Sequence, residues 1–120
     1  MIERNYLFSV SFLFLMALPL PTSTLMSVEQ YVVNHWQLAV EEMKLSGIPA
    51  SITLAQAICE SNSGNSTLAK DTNNHFGIKC KSYWQGMIHF EYDDDLDQDG
   101  ERIKSCFRVY ESVELSLIHI

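Results

Sequence analysis

The apolar pattern of this chain changes period once, near residue 70, and that change constrains the fold more than any other feature. Before it, apolar residues recur at helical spacing. Ser27 with Gln30 three residues on has the form of a capping box, and Val32, Val33, Trp36, Ala39, Val40 and Met43 then fall on one helical face. Gly47 closes that helix. Pro49, whose fixed φ suits a first helical turn, opens a second through Ile52, Ala55, Gln56 and Cys59, with Leu54 and Ile58 widening its apolar face, so this helix is expected at the centre. A short helical turn follows around residues 67–70. Beyond it, "YWQGMIHFEY" and "RIKSCFRVY" are rich in aromatic and β-branched residues, and an acidic, glycine-containing stretch separates them, the signature of a β-hairpin with a long tip. Ser112 is placed to cap a last helix. The fold class expected is α+β, mainly α: a helical core carrying one small β-lobe, with a groove between the two.

The chain has 120 residues, enough for one domain, and its 47% apolar and 19% charged content is that of a globular protein. Residues 1–26 read as an export signal or an N-terminal anchor: Arg4 precedes an apolar run from Tyr6 to Leu18, followed by Pro19, Pro21 and small hydroxyl residues. The run is shorter than the ~20 apolar residues of a comfortable membrane span. Residues 27–120 then form the domain, which at under about 100 residues gains from a covalent staple. An exported chain meets an oxidising compartment. Of three cysteines, Cys59 on the apolar helix reads as a small buried hydrophobe, and Cys80 and Cys106 are left to pair. The net charge of −7, with eight scattered basic residues, excludes a nucleic-acid surface.

The position that asks for chemistry is Glu60, where the apolar helix gives way to "SNSGNS". A carboxylate at a helix C-terminus faces the negative end of the dipole, and partial burial acts in the same direction, so both favour its protonated form. A glutamic acid held protonated can deliver a proton to a leaving group. An ordinary exposed glutamate at a fraying helix end fits the composition equally well.

Three blocks in order, "GIPASITLAQAICESNSGNSTLA", "NNHFGIKC" and "CFRVYESVE", resemble the glucosaminidase family of peptidoglycan hydrolases (glycoside hydrolase family 73, lysozyme-like) over residues 31–115. The resemblance implies a lysozyme-like helical core with a β-hairpin lobe, and an exported endo-β-N-acetylglucosaminidase that cleaves β-1,4 bonds after N-acetylglucosamine in peptidoglycan without a metal or cofactor. It implies Glu60 as the catalytic acid and a second carboxylate from "EYDDDLDQDGE", for which Asp94 is the choice with Asp93 and Asp95 beside it. Asn74, His75, Phe76 and Gly77 would line the groove floor, with Trp84 extending it. A phenylalanine face can stack on a sugar ring and an amide can hold an N-acetyl group. Packing of Phe76 and Trp84 onto the helices is the structural alternative.

After Leu115 the resemblance ends, and the domain is expected to be incomplete at its C-terminus. "DLDQDG" matches the first half of a calcium loop, with Asp95, Asp97 and Asp99 at positions one, three and five and Gly100 at six, but Cys106 stands where the bidentate glutamate belongs. His35, His75, His89 and His119 show no ligand spacing, so no metal site is assigned. The expectation is a monomer acting on glycan strands in the periplasm, cell envelope or outside the cell. A non-catalytic glycan-binding or calcium-stabilised fragment, and a lytic transglycosylase, are the alternatives.

Overall fold

The computed structural model describes residues 24–118. The apolar run of residues 6–18, read above as an export signal, lies outside the described residues, as does His119. Among the described residues no helix is long and apolar enough to cross a membrane.

Helix α1 (Val28–Ser46) starts at the capping box that its sequence announces. Gln30 N donates to Ser27 Oγ at 3.1 Å, and Ser27 N to Gln30 Oε1 at 3.1 Å. The helix stops at Gly47, whose φ of 78° lets its N–H turn back to Met43 O. Helix α2 (Ala50–Ser61) follows with Pro49 at its N-cap. The two helices pack on each other, and the buried residues are Tyr31 and Ala39 of α1 and Thr53, Ala57 and Ser61 of α2. Positions 53, 57 and 61 are successive i, i+4 neighbours on one stripe, and their small side chains let the helices approach closely.

That stripe corrects two expectations. Cys59 is exposed, not buried, because at about 100° per residue it lies on the far side of the helix from Ala57 and Ser61. On α1, Val33 and Trp36 stay exposed at 70% and 47%, since the contacting face is centred on Tyr31 and Ala39. The sequence stripe is wider than the contact.

Helix α3 (Thr67–Thr72) is capped by Ser66, whose side chain accepts from Ala69 N, and ends at Asn73 in the left-handed region, φ 54°. Strand β1 (Ile88–Leu96) then pairs antiparallel with β2 (Arg102–Arg108), with register Phe90↔Cys106 and a shift between Tyr92 and Leu96. The acidic run is therefore mostly strand, not a long loop: β1 continues to Leu96 and the tip is residues 97–101. Asp97 closes this tip, its Oδ1 accepting from Asp99 N and Glu101 N at 2.9 Å each. Strand alternation explains the extension, since every second residue of β1 is half-buried and those between are exposed.

The hairpin is fastened to the helical part at three places. Lys79 bridges to Phe107, with Arg108 N donating to Ile78 O at 3.0 Å and Cys80 N to Cys106 O at 2.8 Å. The expected disulfide Cys80–Cys106 is present, with Cα atoms 5.3 Å apart. Tyr110 N donates to Thr72 O at 2.8 Å, and Asn73 Nδ2 donates to Tyr110 O at 2.9 Å. Helix α4 (Val113–Leu117) packs back on α1; Ser112 precedes it but makes no side-chain cap.

Candidate active site

Glu60 stands in the last full turn of α2, and the helix ends directly after it. Asn62, Ser63 and Gly64 take three successive left-handed conformations, at φ 51°, 54° and 75°. Such a run turns the chain away from the helix axis and leaves the Glu60 side chain at an open mouth. With Ile48, Gln56, Phe76 and Ile78, Glu60 lines a hollow of about 400 Å³. Gln56 is one turn before Glu60 on the same helical face, and Phe76 and Ile78 come from the segment joining α3 to the hairpin. Glu60 is exposed, so the partial burial expected of it is not found; the helix end faces it, and protein does not enclose it.

The "NNHFG" segment divides. Phe76 lines the hollow and Gly77, at φ 61°, turns the chain beside it. Asn74 and His75, expected on the groove floor, are instead buried at 1% and 5% exposure. The Asn74 amide is fully used by the protein: Nδ2 donates to Ile78 O and Arg108 O, both at 2.9 Å, and Oδ1 accepts from Ile78 N at 2.9 Å. It ties the turn to β2 and offers nothing to an N-acetyl group. His75 shares a 2.6 Å hydrogen bond between Nδ1 and the Tyr31 hydroxyl, with the His35 ring 5.7 Å away. Burial, and then His35, push its pKa down to about 4. Burial also pushes the Tyr31 phenol up to about 12. Both groups are neutral at ordinary pH.

Trp84 does not line the Glu60 hollow. Its ring meets Tyr110 edge-on at 5.6 Å and the Arg108 guanidinium at 4.8 Å, and its indole N–H donates to Met87 O at 3.0 Å. With Gly86, Met87, Val109, Tyr110, Glu111 and Leu115 it borders a separate hollow of about 370 Å³.

The acidic strand separates its carboxylates by face. Lys79 Nζ is 3.1 Å from Asp93 and also holds Asp95, which accepts from Ser105 Oγ as well. The bonds to Asp95 and then Asp93 raise the lysine pKa, and those from Lys79 and Ser105 lower that of Asp95. Asp94 falls on the opposite, exposed face. Glu91 shares the face of Asp93 and Asp95, and its Oε2 is shut from solvent without a hydrogen bond, 3.4 Å from His89 Nε2. Strict alternation back from Asp93 is what places Glu91 on this face. Asp95 and Asp97 are engaged with Lys79, Ser105 and the tip amides, and among the described residues no three acidic, histidine or cysteine side chains converge to hold a metal ion.

A helical lobe and a β-hairpin lobe, joined by a segment that meets a helix-terminal glutamate, define the lysozyme-like class of glycoside hydrolase domains. The family model described as mannosyl-glycoprotein endo-beta-N-acetylglucosaminidase matches residues 36–120, and the chain belongs to this glucosaminidase family. It is similar to the glycoside hydrolase domain of Salmonella typhimurium FlgJ at 26% identity and TM-score 0.62, over 78% of this chain and 58% of that one. The catalytic domain of the autolysin Auto from Listeria monocytogenes is 27% identical with TM-score 0.65, over 82% of this chain and 56% of that one. A peptidoglycan hydrolase from Sphingomonas sp. A1 is 27% identical with TM-score 0.62, over 76% and 56% respectively. The chain thus spans a little over half the length of these relatives. No curated protein matches it.

Proposed function

We propose that the chain acts on the glycan strands of peptidoglycan and hydrolyses the β-1,4 bond after N-acetylglucosamine, with Glu60 as general acid. The observation that carries this reading is Glu60 at the open end of α2, beside the apolar ring of Phe76 in one hollow. A sugar stacked on Phe76 would displace water from that hollow and bring its bridging oxygen to the acid, which protonates it as the bond breaks. The leaving sugar departs as a neutral alcohol. The remaining oxocarbenium-like centre needs a negative group to steady it or to deprotonate the attacking water, and β1 supplies the candidates.

For that second role Glu91 is preferred to Asp94. Asp93 and Asp95 share the single ammonium of Lys79, and Asp94 is on the exposed face of the strand, opposite Glu91. Glu91 has an oxygen shut from solvent with only His89 Nε2, 3.4 Å away, beside it, which leaves room for a further hydrogen bond from a water or sugar hydroxyl. This chemistry calls for no metal or organic cofactor. Export to the envelope or beyond is supported by the Cys80–Cys106 bridge, which suits an oxidising compartment.

Digestion of purified peptidoglycan, with analysis of the released ends, tests the reading. Reducing N-acetylglucosamine is expected. Anhydro-muramyl ends would assign transglycosylation, and binding without products a non-catalytic glycan module. Glu60→Gln keeps binding and abolishes turnover, whereas turnover that survives it removes Glu60 from the role. Glu91→Gln is expected to lose far more rate than Asp94→Asn; the reverse order returns the second role to Asp94.

A further inference from the structure

We propose that Tyr31 and His75 are positioning residues for Glu60, acting through the left-handed turn Asn62–Gly64 that they support from beneath. The inference rests on the reading of Glu60 as the acid. Consecutive left-handed residues other than glycine cost about 1–2 kcal/mol each, and such strain persists only where the surroundings hold it. Here the surroundings are specific. A Cβ on Gly64 would lie 3.2 Å from His75 Cε1 and 3.3 Å from Tyr31 Cε2, so the turn sits directly on the two rings. The buried Ser61, next to Glu60, donates to Ala57 O at 2.5 Å and accepts from Gly64 N at 2.8 Å. Ser63 N reaches Ile58 O, and Ser66 N reaches Ser61 O, each at 3.0 Å. The end of α2 is thus bound to its own turn, and the turn rests on a polar pair tied from α1 to the segment after α3.

The hydrogen bond between the Tyr31 hydroxyl and His75 Nδ1 joins two buried groups that are neutral at ordinary pH. The titratable groups facing His75 are Tyr31 and His35, both from α1; Gly64 of the turn lies against the rings of His75 and Tyr31, and Ser61 at the end of α2 bonds Tyr31, neither carrying charge. No carboxylate among these neighbours compensates an imidazolium. Protonation of His75 therefore adds an uncompensated buried charge beside His35, and loosens the support of the turn.

The test uses the full chain as wild type, His75→Asn, His75→Phe and Tyr31→Phe. The asparagine amide keeps a hydrogen-bonding group near Nδ1 but cannot take a proton. Two readouts are taken: hydrogen exchange at the amides of residues 63–66 from pH 6.5 to 4, and kcat and KM on soluble glycan fragments. In His75→Phe and Tyr31→Phe, turn protection and kcat are each expected to fall by about tenfold or more with KM within about threefold, because a small displacement of a catalytic group costs rate before it costs binding. His75→Asn restores both, and it loses the fall in turn protection that wild type shows as the pH drops. Turn amides in His75→Phe that exchange as in wild type overturn the proposal, as does a His75→Asn variant no better than His75→Phe. If wild type turns over no glycan, the catalytic reading of Glu60 fails alone; the exchange measurements still decide whether the pair holds the turn.

Discussion

Replacing Asn74 by alanine separates a structural latch from a sugar contact. The side chain makes three hydrogen bonds of 2.9 Å, two donated to the carbonyls of Ile78 and Arg108 and one accepted from Ile78 N. Each is worth about 1 kcal/mol net, and a buried group left without a partner costs about 1–3 kcal/mol more. Ile78 O keeps the bond from Arg108 N, so the Ile78 N–H and the Arg108 carbonyl are the groups stranded. The loss expected is about 5 kcal/mol or more, a large share of the roughly 5–15 kcal/mol that a domain possesses. Asn74→Asp keeps the shape but aims a carboxylate oxygen at two carbonyls, and it should cost at least as much. Urea unfolding with a common slope gives both values from the shift in midpoint. An Asn74→Ala variant within about 1 kcal/mol of wild type that has nevertheless lost glycan binding would refute the latch and restore the amide to the groove.

Three further outcomes follow from the same interior. His75 is held at a pKa of about 4 against an ordinary value of 6.5, so the unfolded chain takes up its proton first as the pH falls. Its contribution to stability is whole above pH 6.5 and is lost progressively down to about pH 4, by up to about 3 kcal/mol, and His75→Asn should flatten that part of the stability-pH curve. Cutting the bridge, as Cys80→Ser with Cys106→Ser, frees a loop of 26 residues of sequence separation and should lower the unfolding free energy by about 3 kcal/mol, read by urea titration. Gly64→Ala combines a φ of 75° with a Cβ 3.2 Å from His75, and a loss of about 1–3 kcal/mol is expected by thermal unfolding.

The helices were legible because their signals are local. Ser27 and Gln30 make the capping box their spacing announces, Gly47 ends α1, and α2 stops at the polar turn after Glu60. Which side of each helix is buried was not legible. α2 packs through Thr53, Ala57 and Ser61, a stripe with one apolar member, because close approach of α1 selects for small side chains over hydrophobic ones. Cys59 was misplaced for that reason. The same limit applied to "NNHFG": its composition suits a groove, but the left-handed bend at Asn73 and the bonds from Asn74 to Arg108, 34 residues on, turn Asn74 and His75 inward and leave Phe76 in the hollow.

The acidic run makes the limit sharper, since the four carboxylates it places on β1 differ through their face and through partners elsewhere. Alternation alone divides Glu91, Asp93 and Asp95 from Asp94 once the segment is recognised as strand. Distinguishing within the first group needs Lys79, which lies before β1 and reaches across to Asp93 and Asp95 while leaving Glu91 to His89. On the proposed reading, Asp93 and Asp95, which share Lys79, fasten the hairpin, and Glu91 is the candidate second carboxylate. Lys79→Met therefore has an expected outcome opposite in kind to Glu91→Gln: it should loosen the hairpin and lower the melting temperature, whereas Glu91→Gln should leave the melting temperature in place and remove turnover. If Lys79→Met left the melting temperature unchanged, Asp93 and Asp95 would return to the same footing as Glu91, and the preference for Glu91 would lose its basis.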